Sequence, residues 1–314
     1  MKNPNKLPDN VRQRYAETIT QLALGRGNKY TTLMNSFVPV LGNIFEKEEE
    51  TEALRNTFDA LMGMIADAQP STLEAMQAEK VVDVWIARIC VPARPTVLNY
   101  ALELLTSYVE ARGDDCLESI EHVVLPLKRI IVPKGPGEKI NKKIAVGALE
   151  LLLLFCRAGL PQTVQYVLKP ESNLVTTLSS FVVGDEDGLV ATISLCAAEI
   201  LLSVALHEKS EETIASLMDR GFYATLFRIV ECYEGNNEIA EKALQLLLYY
   251  ILKVENIAEY QQLEKANEGF DAEESWAVVR DLSTVASGSD EAVRVLAAQL
   301  LEIGKQMGLT GKEQ

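Results

Sequence analysis

The sequence predicts an all-α protein, a right-handed α-solenoid of about six stacked helical units, and three observations predict it. First, a five-residue motif recurs, beginning at Thr57, Ala101, Ala148, Ala197, Ala243 and Ala297 and ending at Leu61, Leu105, Leu152, Leu201, Leu247 and Leu301. From these starts the intervals are 44, 47, 49, 46 and 54 residues, and a motif returning at such intervals marks a helical repeat array. Second, apolar residues around it recur at three- and four-residue steps, the period of an amphipathic helix. Third, clusters of Gly, Pro, Asn and Asp punctuate these runs, and nothing reads as a run of strands.

The chain has 314 residues, 48% of them hydrophobic, and a formal net charge of -15. That length would allow two domains, but repeats that contact only their neighbours let one array run this far. The expected division is a polar lead-in helix over 1–29, a repeat array over 30–305 and a tail over 306–314. The acidic balance opposes non-specific attraction to nucleic acid or anionic lipid and favours basic partners. Cys90, Cys116, Cys156, Cys196 and Cys232 contain no CxxC pair. They read as small core residues in a reducing compartment, and an odd number argues against a complete disulfide framework. Residues 1–28 are polar, with no apolar signal-peptide core. The most apolar runs, Ile144–Cys156 and Ile193–Leu206, read as too short to span a bilayer, and each carries a glutamate. The expectation is a soluble protein of the cytosol or nucleus, with no membrane insertion.

Taken in order, Asp9 or Asn10 would cap a lead-in helix reaching Leu24. Leu33, Phe37, Val38, Leu41, Ile44 and Phe45 predict the first amphipathic helix, with a kink at Pro39. The acidic run Glu46–Glu52 reads as the solvated start of the next helix, where carboxylates suit the positive end of the dipole; that helix carries Phe58, Leu61, Met64 and Ile65. The second unit uses 81–91, a turn at Pro92 and Pro95, and 97–109. The third uses 116–132, the loop 133–137 and 140–156. The fourth uses 174–183, the turn 184–188 and 189–206. The fifth uses 222–233, the turn 234–237 and 238–252. The sixth uses 276–285, the turn 287–290 and 291–303. In the motif, a small first residue lets helices approach closely, and the invariant leucine anchors the same face one turn later. No single unit can close a core around so much apolar surface, so the units must stack. Polar Glu302, Lys305 and Gln306 after the last copy suit a capping unit.

Glu212–Gly221, then Phe222–Tyr233, Gly235–Asn237 and Ala243–Leu247, resembles an armadillo repeat: a short helix ending near glycine, a second helix, a small-polar turn and a long third helix opening on Ala-Leu. Leu263–Leu300 and Pro161–Leu202 resemble it more loosely. The resemblance covers roughly residues 30 to 305 and lies at the level of the armadillo/HEAT superfamily. It implies that the third helices line a concave groove. In the family's peptide-binding members, a Trp at the third motif position and an Asn four residues on hold an extended backbone. This sequence departs in every copy: the third position holds Asp59, Glu103, Glu150, Glu199, Gln245 and Gln299, followed four residues on by Gly63, Ser107, Leu154, Ser203, Tyr249 and Ile303. An import receptor of the familiar kind is therefore not implied.

If that column faces the groove, its carboxylates form a ladder for a basic, extended segment, with Tyr249 as an aromatic contact or a core residue. Alternatively the column meets solvent or pairs with cations on neighbouring helices; an unpaired carboxylate among apolar residues, as Glu150 and Glu199 are in sequence, is costly. A second candidate is the basic loop Lys128, Arg129, Lys134, Lys139, Lys142 and Lys143, which would dock an acidic or phosphorylated partner or simply be solvated. Chemistry has little support. His122 and His207 lie far apart, no metal-ligand spacing occurs, and HExxH, GxSxG, GxGxxG and GxxxxGK[ST] are absent. No catalytic, cofactor-binding or metal-binding residue is assigned. The expected function is a non-enzymatic scaffold or adaptor whose partner is a protein, not a nucleic acid. The other reading is a chaperone cofactor gripping a folded ATPase domain, as some armadillo-like exchange factors do. A helical-repeat nucleic-acid enzyme is disfavoured by the charge and the missing site chemistry.

Overall fold

The computed structural model describes residues 10, 11, 13–15, 17, 18, 31–49, 51–91, 94–133, 135, 140–184, 188–208, 210, 212, 213, 216, 217, 222–253, 272–284 and 289–309; among these there are helices, turns and no strand. They divide into two compact units, Met1–Ala158 and Gly159–Gln314. Residues 10, 11, 13–15, 17 and 18 are helical, and the rest of the expected lead-in helix lies outside the described residues.

The first unit contains α1 (Thr31–Asn35), α2 (Val38–Lys47), α3 (Glu52–Ala66), α4 (Pro70–Ala78), α5 (Val81–Cys90), α6 (Pro95–Arg112), α7 (Leu117–Ile120), α8 (Val124–Ile131) and α9 (Lys142–Arg157). Helices α3, α6 and α9 lie side by side, and behind them α2, α5 and α8 each pack on the long helix that follows in sequence. The wholly buried Trp85 of α5 meets Tyr108 of α6 edge to face at 6.0 Å. Gly42 lets α2 approach α5 closely: a Cβ there would stand 2.7 Å from Val81 Cγ2.

Three expectations are corrected here. The helix expected to kink at Pro39 is two helices, α1 and α2, with Pro39 in the first turn of α2, where its missing N–H costs nothing. Leu33 is consequently exposed. The acidic run is not simply solvated: Glu46 and Lys47 end α2, and α3 begins only after Thr51, whose hydroxyl accepts the Leu54 N–H at 3.1 Å. Arg88 of α5 caps the end of α2, donating to the carbonyls of Phe45 (3.0 Å), Glu48 (3.1 Å) and Glu46. The stretch 116–132 is broken into 3-10 turns and two helices rather than one element. Helix α4 has no counterpart in the sequence reading, because it buries only Thr72, Leu73 and Met76 and its periodicity is faint.

The second unit contains α10 (Pro161–Leu168), α11 (Leu174–Phe181), α12 (Gly188–His207), α13 (Phe222–Cys232), α14 (Asn237–Lys253), α15 (Ala272–Leu282) and α16 (Glu291–Gln306). Its long helices α12, α14 and α16 again form one layer, backed by α11, α13 and α15. Phe227 of α13 packs against the buried Trp276 of α15 at 5.4 Å. Asp290 caps α16 through the Val293 N–H at 2.9 Å. Leu301, in the last motif copy, is half-buried, whereas the same leucine is wholly buried in the other five. Helix α12 corrects the reading of the apolar run as too short: its 20 residues are long and apolar enough to cross a membrane by length and composition alone. Within this unit Ala197, Ile200 and Leu201 of that helix are wholly buried, against the α11 and α14 surfaces.

Candidate functional site

All six motif copies fall on the long helices, and helical geometry gives their positions separate fates. The first residue of each copy is wholly buried, and Ala60, Leu104, Leu151, Ile200 and Leu300 at the fourth position are too. The third position points away from that core in every copy. Asp59, Glu103 and Glu199 are half-buried, and Glu150, Gln245 and Gln299 are exposed. An apolar sequence context therefore does not mean an apolar environment for Glu150 and Glu199, because residues about half a helix turn apart lie on opposite faces.

In the first unit this column runs across three adjacent helices: Asp59 on α3, Glu103 on α6 and Glu150 on α9. Between the first two, the ring of Phe58 stacks on that of Tyr100, with centroids 4.2 Å apart and planes 14° from parallel. The side-chain amide of Asn99, a residue only 7% exposed, donates to the Glu103 carboxylate and fixes it. Burial raises the Tyr100 hydroxyl above its ordinary pKa; Asp59, Glu103 and Glu52 push it further and Arg55 opposes them. Although Glu150 is an exposed residue, nearby protein removes enough water from its carboxyl to raise its pKa, and the like charges of Glu110 and Glu103 add to the rise. Glu150 therefore carries its negative charge at a cost. Gly63, Ser107 and Leu154, four residues beyond the column, are half-buried.

The corresponding wall of the second unit is chemically different. Glu199 on α12 is followed by amides, Gln245 on α14 and Gln299 on α16, and the Gln245 amide donates to Glu241 at 3.0 Å. Tyr249 is 41% exposed and meets Tyr250 edge to face at 5.7 Å. Tyr249 is thus a surface residue and Tyr250 the buried one, its hydroxyl raised by burial and by Tyr249 and Glu208. Ser203 and Ile303 are half-buried. An open cleft of about 710 Å³ between the ends of α11 and α13, lined by Val183, Arg228, Cys232 and Tyr233 among others, involves no motif position and had no signal in the sequence.

Of the basic loop, Lys128 and Arg129 occupy the last turn of α8, and Lys142 and Lys143 open α9; Lys134 and Lys139 lie outside the described residues. All five cysteines are free. Cys116, Cys156 and Cys196 are buried as expected, but Cys90 is exposed and Cys232 half-buried. Among the described residues no group of His, Cys, Asp and Glu could hold a metal ion. His207 instead lies against Gly159.

No family model matches the chain, and no curated protein does. Solved structures do match. An engineered protein aligns over 96% of this chain and 76% of its own, with TM-score 0.58 and 15% identity. A designed armadillo repeat protein in complex with peptide (KR)4 aligns over 85% of this chain and 98% of its own, with TM-score 0.54 and 13% identity. Computationally designed armadillo repeat proteins for modular peptide recognition align over 96% of both chains, with TM-score 0.50 and 14% identity. The fold is an armadillo-like helical repeat fold.

Proposed function

We propose that this chain is a non-enzymatic protein-binding scaffold of the cytosol or nucleus, and that the α3–α6–α9 wall receives a basic, extended segment of its partner. The observation that carries this reading is the carboxylate column Asp59, Glu103 and Glu150 on three neighbouring helices, with the Phe58–Tyr100 stack set into it. The fold supports the reading, since a protein of similar fold is in complex with peptide (KR)4, which by its formula is wholly cationic. Each exposed ion pair supplies only about 0.2–1 kcal/mol, so the column sets selectivity and salt dependence more than affinity.

The test is titration of a labelled (KR)4 peptide into the full chain, at low and at physiological salt. Binding should weaken as salt rises. A Glu103→Gln/Glu150→Gln variant with unchanged helicity should lose roughly three- to tenfold in affinity. A wild type indifferent to the peptide, or a variant that binds it equally well, would overturn the reading. If the chain instead gripped a folded ATPase domain and sped its nucleotide release, the chaperone-cofactor reading would replace it.

A further inference from the structure

The fold gathers a cluster of opposite sign at one end of the first unit. Helix α8 packs on α9, the next helix in the chain, so the last turn of α8 and the first turn of α9 share an end. Lys128 and Arg129 sit in that last turn and Lys142 and Lys143 in that first turn. Arg129, Lys142 and Lys143 are exposed and Lys128 half-buried. Cations in the last turn of α8 complement its dipole, but two lysines opening α9 stand at the positive end of theirs, which is locally unfavourable. Four cationic side chains and the α9 N-terminus thus lie at the same end of the α8–α9 pair, in a chain that as a whole is strongly acidic. The cluster extends towards α5, where the positive charge of Arg129 bears on the thiol of the exposed Cys90. Lys143 precedes Glu150 by seven residues, so the two share a face of α9 about 10 Å apart along its axis. At physiological ionic strength the Debye length is about 8 Å, so more distant carboxylates are largely screened and the local sign decides what docks here.

We propose that this end of the α8–α9 pair is a second, anion-binding surface, at which Lys128, Arg129, Lys142 and Lys143 receive a carboxylate- or phosphate-bearing segment of a protein partner. Arg129 supplies a planar fork for two anionic oxygens and the lysines supply point charges around it. The surface stands independently of the carboxylate wall.

The experiment uses the full chain and three probes: a labelled oligoglutamate peptide, a serine-containing acidic peptide with and without phosphorylation, and phosphatidylserine vesicles. Wild type should bind the acidic peptides, with affinity falling as salt rises, and the phosphorylated arm tells which oxygen source is preferred. Lys142→Gln/Lys143→Gln and, separately, Arg129→Gln should each weaken binding about tenfold. Glu103→Gln/Glu150→Gln should leave it intact or strengthen it, which separates this surface from the wall. No binding of any acidic peptide, lysine and arginine variants that both bind as tightly as wild type, or binding to the vesicles alone would overturn the proposal.

Discussion

The ring of Tyr100 lies flat against that of Phe58 at 4.2 Å, joining α6 to α3, and the charges of Asp59 and Glu103 both bear on the Tyr100 hydroxyl. A stacked aromatic pair contributes about 0.5–1.5 kcal/mol beyond its buried area. Tyr100→Ala and Phe58→Ala should each destabilise the chain by about 2 kcal/mol, and a double-mutant cycle should return a coupling of about 1 kcal/mol. Tyr100→Phe should keep that coupling. Denaturant melts of the four proteins check it, and strictly additive losses would show that the rings do not work as a pair.

Glu150 gives the wall a pH signature. Its folded-state pKa is raised above 4.5, first by lost hydration and then by Glu110 and Glu103. For an acid with a raised folded pKa, the native state holds the proton more tightly than the unfolded state does. Stability carried by this group is therefore greatest in acid and is lost as pH rises from the ordinary glutamate value through the raised one. Glu150→Gln should melt higher than wild type at neutral pH, and the difference should shrink towards acid. Melting curves across pH 3–8 decide it; a variant less stable at neutral pH would mean that Glu150 has a favourable partner.

Gly159 opens the second unit with φ at +65°, and a Cβ there would lie 2.6 Å from the His207 ring. Two separate penalties follow from Gly159→Ala, backbone strain and the displaced imidazole. The expected loss is about 1–3 kcal/mol. Adding His207→Ala should recover only the steric part, so the double variant stays below His207→Ala alone by about 1 kcal/mol. Full recovery would place the whole cost in the contact.

How far the sequence could be read depended on whether a property was local. Ala148 and Leu152 could be assigned to a buried face because a helix puts positions one turn apart on the same side, and both are wholly buried. The outward direction of Glu150 follows from the same geometry, yet its pKa is raised first by the water that nearby protein removes and then by Glu110 and Glu103 of another helix, and spacing carries no trace of that. Tyr100 went unnoticed for the same reason, since its stacking partner lies 42 positions earlier in the chain. Pro39 was visible as a disturbance, but whether proline kinks a helix or starts one depends on where the preceding turn closes. Here the Phe37 N–H bonds back to the Met34 carbonyl at 2.9 Å, and a new helix begins.

Arg88 shows how much of the first unit's order rests on one such distant contact. The end of α2 leaves carbonyls that its own ladder cannot satisfy. The guanidinium of Arg88, reaching across from α5, binds those of Phe45, Glu46 and Glu48 together and holds the two helices in register. A methionine keeps the apolar stem and loses every bond; a lysine keeps the charge but offers no fork. Arg88→Met should therefore cost about 2–3 kcal/mol and Arg88→Lys about 1–2 kcal/mol. Amide exchange should also accelerate at Glu48, whose N–H bonds to Ile44 at the end that Arg88 holds. Global unfolding and residue-level exchange are the measurements. If Arg88→Lys matched wild type in both, charge alone would be holding the end of α2, and the bonds to the three carbonyls would be incidental to it.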